Sequence, residues 1–290
     1  MFILGHRGEG VTFRNTPEQE RQRLHNGQAP ENTLLAFHRA LYHGADGFEF
    51  DIWRTGDDDL AVVYKNDLSL VVKGQHPHRG TVQDSTMDEL RALDVGDGCR
   101  IPSLRQVFAF SALRPVKPLI NIEAKGPGTA ELAIEQIRAF RDETGYPADR
   151  IILSSFSHSQ IATARASDEK VRMGIEFYPT FFGLTQATRI YADHPNTDRF
   201  KAFRPSYIRS VMDTIRPTSI HVEQGNFEKA LDCAEDLHLD LVVWTWKEHE
   251  PRKYDHVSRI IADHADHPRI VVITDYPAQR VRERQRALGL

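Results

Sequence analysis

The sequence predicts an α/β fold, a TIM (β/α)8 barrel with enlarged loops at the C-terminal face of its strands. Three observations support this prediction. The chain has 290 residues, and barrels of this type commonly form one domain of about 250 residues. Short β-rich runs alternate with segments whose apolar residues have helical spacing, and this pattern accommodates eight strands. A doubly wound sheet is the alternative, but no glycine-rich phosphate fingerprint follows the first strand.

Each predicted element follows from its local pattern. The expected barrel strands are Phe2–Leu4, Gly47–Trp53, Leu119–Ile122, Ile151–Ser154, Val171–Ile175, Ser219–Val222, Leu239–Trp244 and Ile270–Ile273. A hairpin partner of the second strand is expected at Leu60–Tyr64. The expected helices are Leu34–His43, Leu104–Leu113, Ala130–Thr144, Ser159–Ala166, Tyr207–Ile215, Glu228–Leu237, His256–Ala265 and Pro277–Ala287. Asn32 or Thr33 is a suitable N-cap for the first helix.

One domain is expected over residues 1–290, since no repeat, low-complexity tract or linker interrupts the pattern. Three segments are longer than a minimal barrel requires, at about 9–29, 68–99 and 178–205. Each follows the C-terminal end of a strand, where barrel active sites form. Long loops in compact domains tend to be functional, although surface decoration is the alternative.

Composition excludes several classes of protein. The formal net charge is −4, so no basic surface for nucleic acid is indicated. The two cysteines, Cys99 and Cys233, lie far apart and indicate neither a disulfide framework nor a zinc site. No stretch approaches the roughly 18 apolar residues of a membrane span, and the N-terminal apolar run is too short for a signal peptide. A cytoplasmic protein without a membrane span is therefore expected; the sequence does not predict the oligomeric state.

The end of the first strand carries a histidine and an arginine, in Gly5-His6-Arg7-Gly8. Histidine titrates near neutral pH and can take or give a proton. Arginine presents a planar fork that suits phosphate oxygens. At this position in a barrel, the pair indicates proton transfer and anion binding.

Carboxylates mark the next strand ends. Glu49 and Asp51 are two residues apart and share one face of the second strand. Glu123 ends the next barrel strand, with Lys125 on the same face. Two acids facing one barrel mouth would repel each other without a cation, and oxygen ligands suit a hard ion such as Mg²⁺ or Ca²⁺. The alternative is an inward ion-pair network in which Arg7 and Lys125 balance Glu49 and Asp51.

The order of these motifs resembles the glycerophosphodiester phosphodiesterase family, and the resemblance spans nearly the whole chain. The matching motifs are His6-Arg7-Gly8, Pro30–Thr33, Gly44–Asp46, Glu49–Asp51, Ile101–Leu104, Glu123–Lys125, Ser154–Phe156, Trp244-Thr245 and Thr274–Pro277. The resemblance implies a TIM barrel that cleaves a small-molecule phosphodiester, a glycerophosphodiester or a sugar phosphodiester, into an alcohol and a phosphomonoester. Because of the enlarged loops, we expect a substrate bulkier than glycerophosphocholine.

The resemblance also implies roles for individual residues. One divalent metal ion, Mg²⁺ or Ca²⁺, would bind the three strand-end carboxylates, and His6 would be a catalytic histidine. Arg7 and Lys125 would bind the phosphate, with Glu31 nearby to orient the site. Trp244, at a strand end, is expected to contact the glycerol or sugar. Packing in the core is the favoured interpretation of each of the other aromatic candidates for that surface, which are Trp53, Trp246, Phe177, Tyr178, Phe181 and Phe182.

The sequence departs from the family after the second strand, where the family carries a second catalytic histidine in a His-Asp pair. Here the sequence is Tyr64-Lys65-Asn66-Asp67. Asparagine cannot shuttle a proton, so Lys65 is the predicted second catalytic residue. His76 or His78 in the following loop could also reach the site.

The missing histidine leaves other functions open. One alternative is a catalytically weak barrel that binds a phosphodiester as a sensor or carrier. Another is a lyase that releases a cyclic phosphate. Turnover with excess substrate distinguishes an enzyme from a sensor or carrier. The phosphorus NMR spectrum of the product distinguishes a hydrolase from a lyase.

Overall fold

The predicted barrel is confirmed by a computed structural model, which describes residues 1–9, 28–71, 80–168, 170–178, 201–245, 248 and 250–290. Eight parallel strands pair in a closed ring, because the first strand pairs with both the second and the last. In chain order the strands are β1 (Phe2–Gly5), β2 (Gly47–Arg54), β3 (Leu60–Val62), β4 (Asp94–Gly96), β5 (Cys99–Arg100), β6 (Leu119–Ala124), β7 (Ile151–Ser155), β8 (Arg172–Glu176), β9 (Ser219–Glu223), β10 (Asp240–Trp244) and β11 (Ile270–Thr274).

Three of these strands lie outside the ring. The hairpin partner β3 pairs antiparallel with β2, as predicted, but is shorter than Leu60–Tyr64. The two short strands β4 and β5 pair only with each other in the described part of the chain. The ring order is therefore β1, β2, β6, β7, β8, β9, β10 and β11.

Helices follow the barrel strands. Those in the described residues are α1 (Leu34–Tyr42), α2 (Met87–Ala92), α3 (Leu104–Ala112), α4 (Thr129–Thr144), α5 (His158–Ser167), α6 (Pro205–Val211), α7 (Phe227–Leu237), α8 (Pro251–His264) and α9 (Pro277–Ala287). The largest differences from prediction are at α6 and α8, where a proline lies in the first helical turn. Proline has a fixed φ and lacks an N–H, which suits this position, so α8 begins five residues earlier than His256.

The core lies between the strands and the helices. On β2, Phe48, Phe50 and Ile52 are fully buried in it, and Phe37 of α1 stacks on Phe48 with ring centroids 4.4 Å apart. Burying each such side chain stabilises the fold by about 1.5–3 kcal/mol. Because side chains alternate along a strand, this outward packing turns Glu49 into the barrel.

The barrel interior is partly polar. His221 of β9 is 1% exposed, and its Nε2 lies 3.0 Å from Ser219 Oγ. A Cβ atom at position 174 would collide with the His221 ring, which explains the glycine there. The interior therefore holds an imidazole in the space that Gly174 leaves.

The long loops are described in part. Of the segment 68–99, residues 72–79 lie outside the described residues, and the rest forms two short 3₁₀ turns, α2 and the β4–β5 hairpin. Most of the segments 9–29 and 178–205 lie outside them too. In the described ranges, no helix is both long and apolar enough to cross a bilayer. The cytoplasmic location and the single domain stay predictions.

Candidate active site

Three carboxylates converge at the C-terminal ends of β2 and β6. Glu49, Asp51 and Glu123 each place an oxygen within 4.8 Å of the others. The pairing of β2 with β6 sets Asp51 directly beside Glu123. All three side chains are buried, so their mutual repulsion is weakly screened by water.

The surroundings of the three acids shift their pKa values in different directions. Burial and the neighbouring Asp51 raise the pKa of Glu49 to about 8, and burial raises the pKa of Glu123. Burial acts on Asp51 in the same direction, but Lys125 and Arg7 outweigh it and hold the pKa of this carboxyl below its usual range. The cluster therefore lacks enough positive charge to ionise all three acids at neutral pH.

Two cations lie among the carboxylates. Lys125 Nζ is 3.0 Å from Asp51 Oδ1 and forms a second ion pair with Glu123. Arg7 Nε is 3.0 Å from Asp51 Oδ2. The inward ion-pair network that was the alternative interpretation is thus present around Asp51, whereas Glu49 lies outside most of it.

The carboxylate cluster also fits a hard divalent cation. Glu49 Oε1 is buried and accepts no hydrogen bond from the residues that the structure describes. A buried oxygen without a partner is costly, and carboxylate oxygens are the ligands that Mg²⁺ and Ca²⁺ prefer. The donor set therefore suits one such ion alongside the Arg7 and Lys125 pairs.

His6 lies at the edge of this cluster, with its side chain 26% exposed. Its Nδ1 is 2.7 Å from Asp275 Oδ1, and its Nε2 is 3.9 Å from Glu49 Oε2. Burial disfavours the charged imidazole, yet the Asp275 carboxylate outweighs this effect and raises the pKa of His6 to about 9. Asp275 fixes one nitrogen and leaves Nε2 facing the carboxylates.

Asp275 is itself held by a buried ion pair. Glu248 accepts hydrogen bonds from the Thr274 hydroxyl and the Asp275 backbone N–H, each at 2.8 Å. Arg280 of α9 donates to the same carboxylate from Nε at 2.8 Å. Glu248 and Arg280 are 1% and 0% exposed. This network joins the last helix to the aspartate that orients His6.

The motif Pro30–Thr33 connects the ends of β1 and β2. Asn32 donates from Nδ2 to Asp51 Oδ2 at 3.1 Å, and its backbone N–H donates to the Arg7 carbonyl at 3.0 Å. Glu31 accepts from Arg7 Nη1 at 3.0 Å, and the Thr33 hydroxyl caps α1. Glu31 thus lies beside Arg7, where the sequence placed it.

Lys65 and Asn66 have different surroundings. Lys65 is half-buried, with Nζ 4.6 Å from the centroid of the Tyr64 ring. Arg7 Cζ lies 3.4 Å from the same ring, so Lys65 borders the predicted phosphate site. The Asn66 side chain donates to Gln83 Oε1 at 3.1 Å and accepts from the Gln83 N–H at 3.2 Å, which gives it a structural contact.

The predicted aromatic surface is smaller than expected. Trp53 and Phe177 are fully buried in hydrophobic clusters, in agreement with the core interpretation, and are therefore not candidates for stacking on a substrate. Trp244 makes an edge contact with Phe156 at 6.0 Å, and Phe156 stacks on Tyr178 at 4.2 Å. The other candidates lie outside the described residues: His76, His78, Trp246, Phe181 and Phe182.

The structure adds residues to the site that the sequence does not single out. Asp275 belongs to the motif Thr274–Pro277 and follows the last strand as His6 follows the first. The register of β1 on β11 pairs Gly5 with Thr274, so the two next residues become neighbours. Two further buried acids, Glu248 and Glu176 at the end of β8, have no signal in the sequence that sets them apart from other acids.

Comparison with known proteins supports the family resemblance of the sequence motifs. The sequence profile described as the glycerophosphoryl diester phosphodiesterase family matches residues 6–278. A glycerophosphodiester phosphodiesterase of Caldanaerobacter subterraneus subsp. tengcongensis is 33% identical over 158 residues. That alignment covers 50% of this chain and 60% of the relative, so this chain matches less than two thirds of the relative's length.

Solved structures share the fold over the full chain. A phosphodiesterase of Oleispira antarctica, in complex with the product sn-glycerol-3-phosphate, has a TM-score of 0.66 at 18% identity, covering 100% of this chain and 97% of that one. A glycerophosphodiester phosphodiesterase of Thermotoga maritima has a TM-score of 0.62 at 22% identity, covering 97% of each chain. At these identities the likeness concerns the fold.

Proposed function

The chain belongs to the glycerophosphoryl diester phosphodiesterase family, and we propose that it hydrolyses a glycerophosphodiester to an alcohol and a phosphomonoester with one divalent cation. One observation carries the proposal: His6, two buried cations and three buried carboxylates meet at one barrel mouth. Cleavage of a phosphodiester needs proton transfer, charge neutralisation and positioning, and this group of residues offers all three.

Arg7 and Lys125 are the proposed phosphate ligands. Burial opposes the charge on Lys125, but Glu123 and Asp51 outweigh it and hold the pKa of that ammonium well above its ordinary value. Lys125 therefore remains a cation at neutral pH. Arg7 is oriented by Glu31 and by the Tyr64 ring beneath its guanidinium, so little side-chain entropy is lost when it binds an anion.

His6 is the proposed proton-transfer residue. Asp275 holds Nδ1, so the proton is exchanged at Nε2, which faces the carboxylates. His6 must be neutral to act as a base, and a cation held by the adjacent carboxylates would lower its pKa from about 9 toward that form. Neutral His6 then deprotonates the attacking water, or it deprotonates a neighbouring substrate hydroxyl that attacks and gives a cyclic phosphate that is then hydrolysed. In both cases the leaving alkoxide takes up a proton from water. The Glu248–Arg280 pair supports Asp275 through its backbone N–H.

Glu49, Asp51 and Glu123 would hold the divalent ion, Mg²⁺ or Ca²⁺. When bound, such an ion acts as a Lewis acid that polarises the phosphoryl group and neutralises developing negative charge. The unpartnered Glu49 Oε1 supports this assignment, as does the raised pKa of the same group.

Lys65 is the proposed replacement for the second histidine. Its position near Tyr64 and Arg7 supports a fixed positive charge that stabilises the leaving oxygen. Asn66 is engaged with Gln83 and does not fill this role.

Trp244 is the proposed contact for the alcohol part of the substrate. The glycerol phosphate bound to the Oleispira antarctica protein supports a glycerol-containing substrate; a sugar phosphodiester is the second substrate to test.

The test is turnover by the purified chain after chelation, with glycerophosphocholine and a sugar phosphodiester in excess and with Mg²⁺ or Ca²⁺ restored. We expect release of a phosphomonoester that depends on the ion and is lost in Glu123→Gln. Phosphorus NMR identifies the product. A final product that is a cyclic phosphate would indicate a lyase instead. Stoichiometric binding without turnover of any diester would indicate a sensor or carrier.

A further inference from the structure

One buried acid at the barrel mouth has no part in the proposed mechanism. Glu176 is the last residue of β8 and is 5% exposed. Its neighbours Ile175 and Phe177 pack in the outer core, so the Glu176 side chain points into the barrel. Its Oε1 accepts no hydrogen bond within the described ranges. A buried acceptor left unpaired is unfavourable, and a ligand hydroxyl would supply the missing hydrogen bond.

Glu176 faces the phosphate site from across the barrel. Going round the ring in either direction, β8 is the fourth strand from β1, which carries His6. Between the two sides lies Lys125, whose Nζ is 5.7 Å from the centroid of the Phe156 ring. Phe156 stacks on Tyr178, two residues beyond Glu176. A substituent on a phosphate bound at Lys125 would therefore extend over Phe156 toward Glu176.

The side chains around Glu176 at the barrel mouth suit a hydroxyl-bearing group. A carboxyl oxygen is a strong acceptor for an O–H group, so this residue suits a hydroxyl of the alcohol. Trp244 makes an edge contact with Phe156, and its buried indole Nε1–H donates to none of the residues described. The region around Glu176 thus offers an aromatic wall in Phe156, an unpaired acceptor in Glu176 Oε1 and an unpaired donor in Trp244 Nε1.

We propose that Glu176 is a specificity-determining residue that binds a hydroxyl of the alcohol moiety of the substrate. This inference rests on the proposed function, and it adds to it the residue that would recognise the alcohol. Trp244 and Phe156 complete the same subsite, as the donor and the apolar wall.

The experiment compares two substrates and two variants. Glycerophosphoglycerol carries hydroxyls, whereas bis(p-nitrophenyl) phosphate carries none. In Glu176→Leu we expect kcat/KM for glycerophosphoglycerol to fall about 5- to 150-fold, the loss expected for one unpaired hydrogen bond. For the hydroxyl-free diester we expect a change below about twofold. Glu176→Gln keeps a carbonyl acceptor and should lose less on glycerophosphoglycerol. Glu235→Gln, at an exposed glutamate of α7, is the control.

An equal loss on both substrates, or none on glycerophosphoglycerol, would overturn the inference and leave the proposed function standing. If wild-type protein turns over neither diester, both fail. Calorimetric binding of glycerol 3-phosphate and methyl phosphate gives a readout independent of turnover. There Glu176→Gln and Glu176→Leu should weaken only glycerol 3-phosphate; equal weakening of both ligands would also overturn the inference.

Discussion

His221 should make the stability of the barrel depend strongly on pH. Burial, with a smaller effect from Arg172, lowers the pKa of this imidazole to about 3, against an ordinary value of 6.5. The folded protein therefore binds fewer protons than the unfolded chain between these values. A group of this kind contributes stability that is fully present above about pH 6.5 and is lost as the pH falls toward about 3.

The size of the effect follows from the shift. A difference of about 3.5 pKa units corresponds to about 5 kcal/mol over the whole window, at about 1.4 kcal/mol per pH unit. Between about pH 7 and pH 5, His221 alone should lower the free energy of unfolding by about 2 kcal/mol. His221→Gln keeps a side chain that can hydrogen-bond Ser219 but removes the titrating group. Between about pH 7 and pH 5, the free energy of unfolding of this variant should therefore fall by about 2 kcal/mol less than that of the wild type.

The assay is urea unfolding of both proteins at several pH values across this range. All other titrating groups act alike in the two proteins, so the difference between their pH profiles isolates His221. His38→Gln, at an exposed histidine of α1, is the matched control. Parallel pH profiles for wild type and His221→Gln would refute the reasoning, because they would mean that His221 gains or keeps its proton equally in both states.

Four further outcomes are expected. His6→Ala should lower kcat by about 10²–10⁴-fold while calorimetry still detects substrate binding; unchanged turnover would remove His6 from the mechanism. Glu248→Ala removes one carboxylate partner of the buried Arg280 and leaves its pair with Glu283, so urea unfolding should show a loss of about 1–3 kcal/mol, and a loss below about 0.5 kcal/mol would contradict a contribution of Glu248 to stability. Lys65→Met should lower kcat/KM, whereas Asn66→His should raise activity on ordinary glycerophosphodiesters; an intact kcat/KM in Lys65→Met would exclude a role for Lys65.

The sequence alone determined the parts of the site that depend on local geometry. The barrel followed from alternating periodicities, and strand alternation turned Glu49 and Asp51 to one face, where the structure has them. Register within a pair of neighbouring strands then brought Glu123 beside Asp51. These relations need only the two-residue repeat of a strand and the rule that barrel strands end at one mouth, so residue order is enough to predict them.

Tertiary structure decided the contacts that join residues far apart in the chain. Asp275 meets His6 only because β11 closes on β1 in a particular register, and Glu248 supports it only through the packing of α9. The sequence left Trp53 as either a core residue or a substrate contact, and packing against residues of the 68–99 loop buries it in the core. Glu176 lacks any distinguishing pattern in the sequence, since the unpaired state of its Oε1 depends on which side chains from other strands line the barrel mouth. Burial and pairing are properties of the whole fold, so no local spacing could have predicted them.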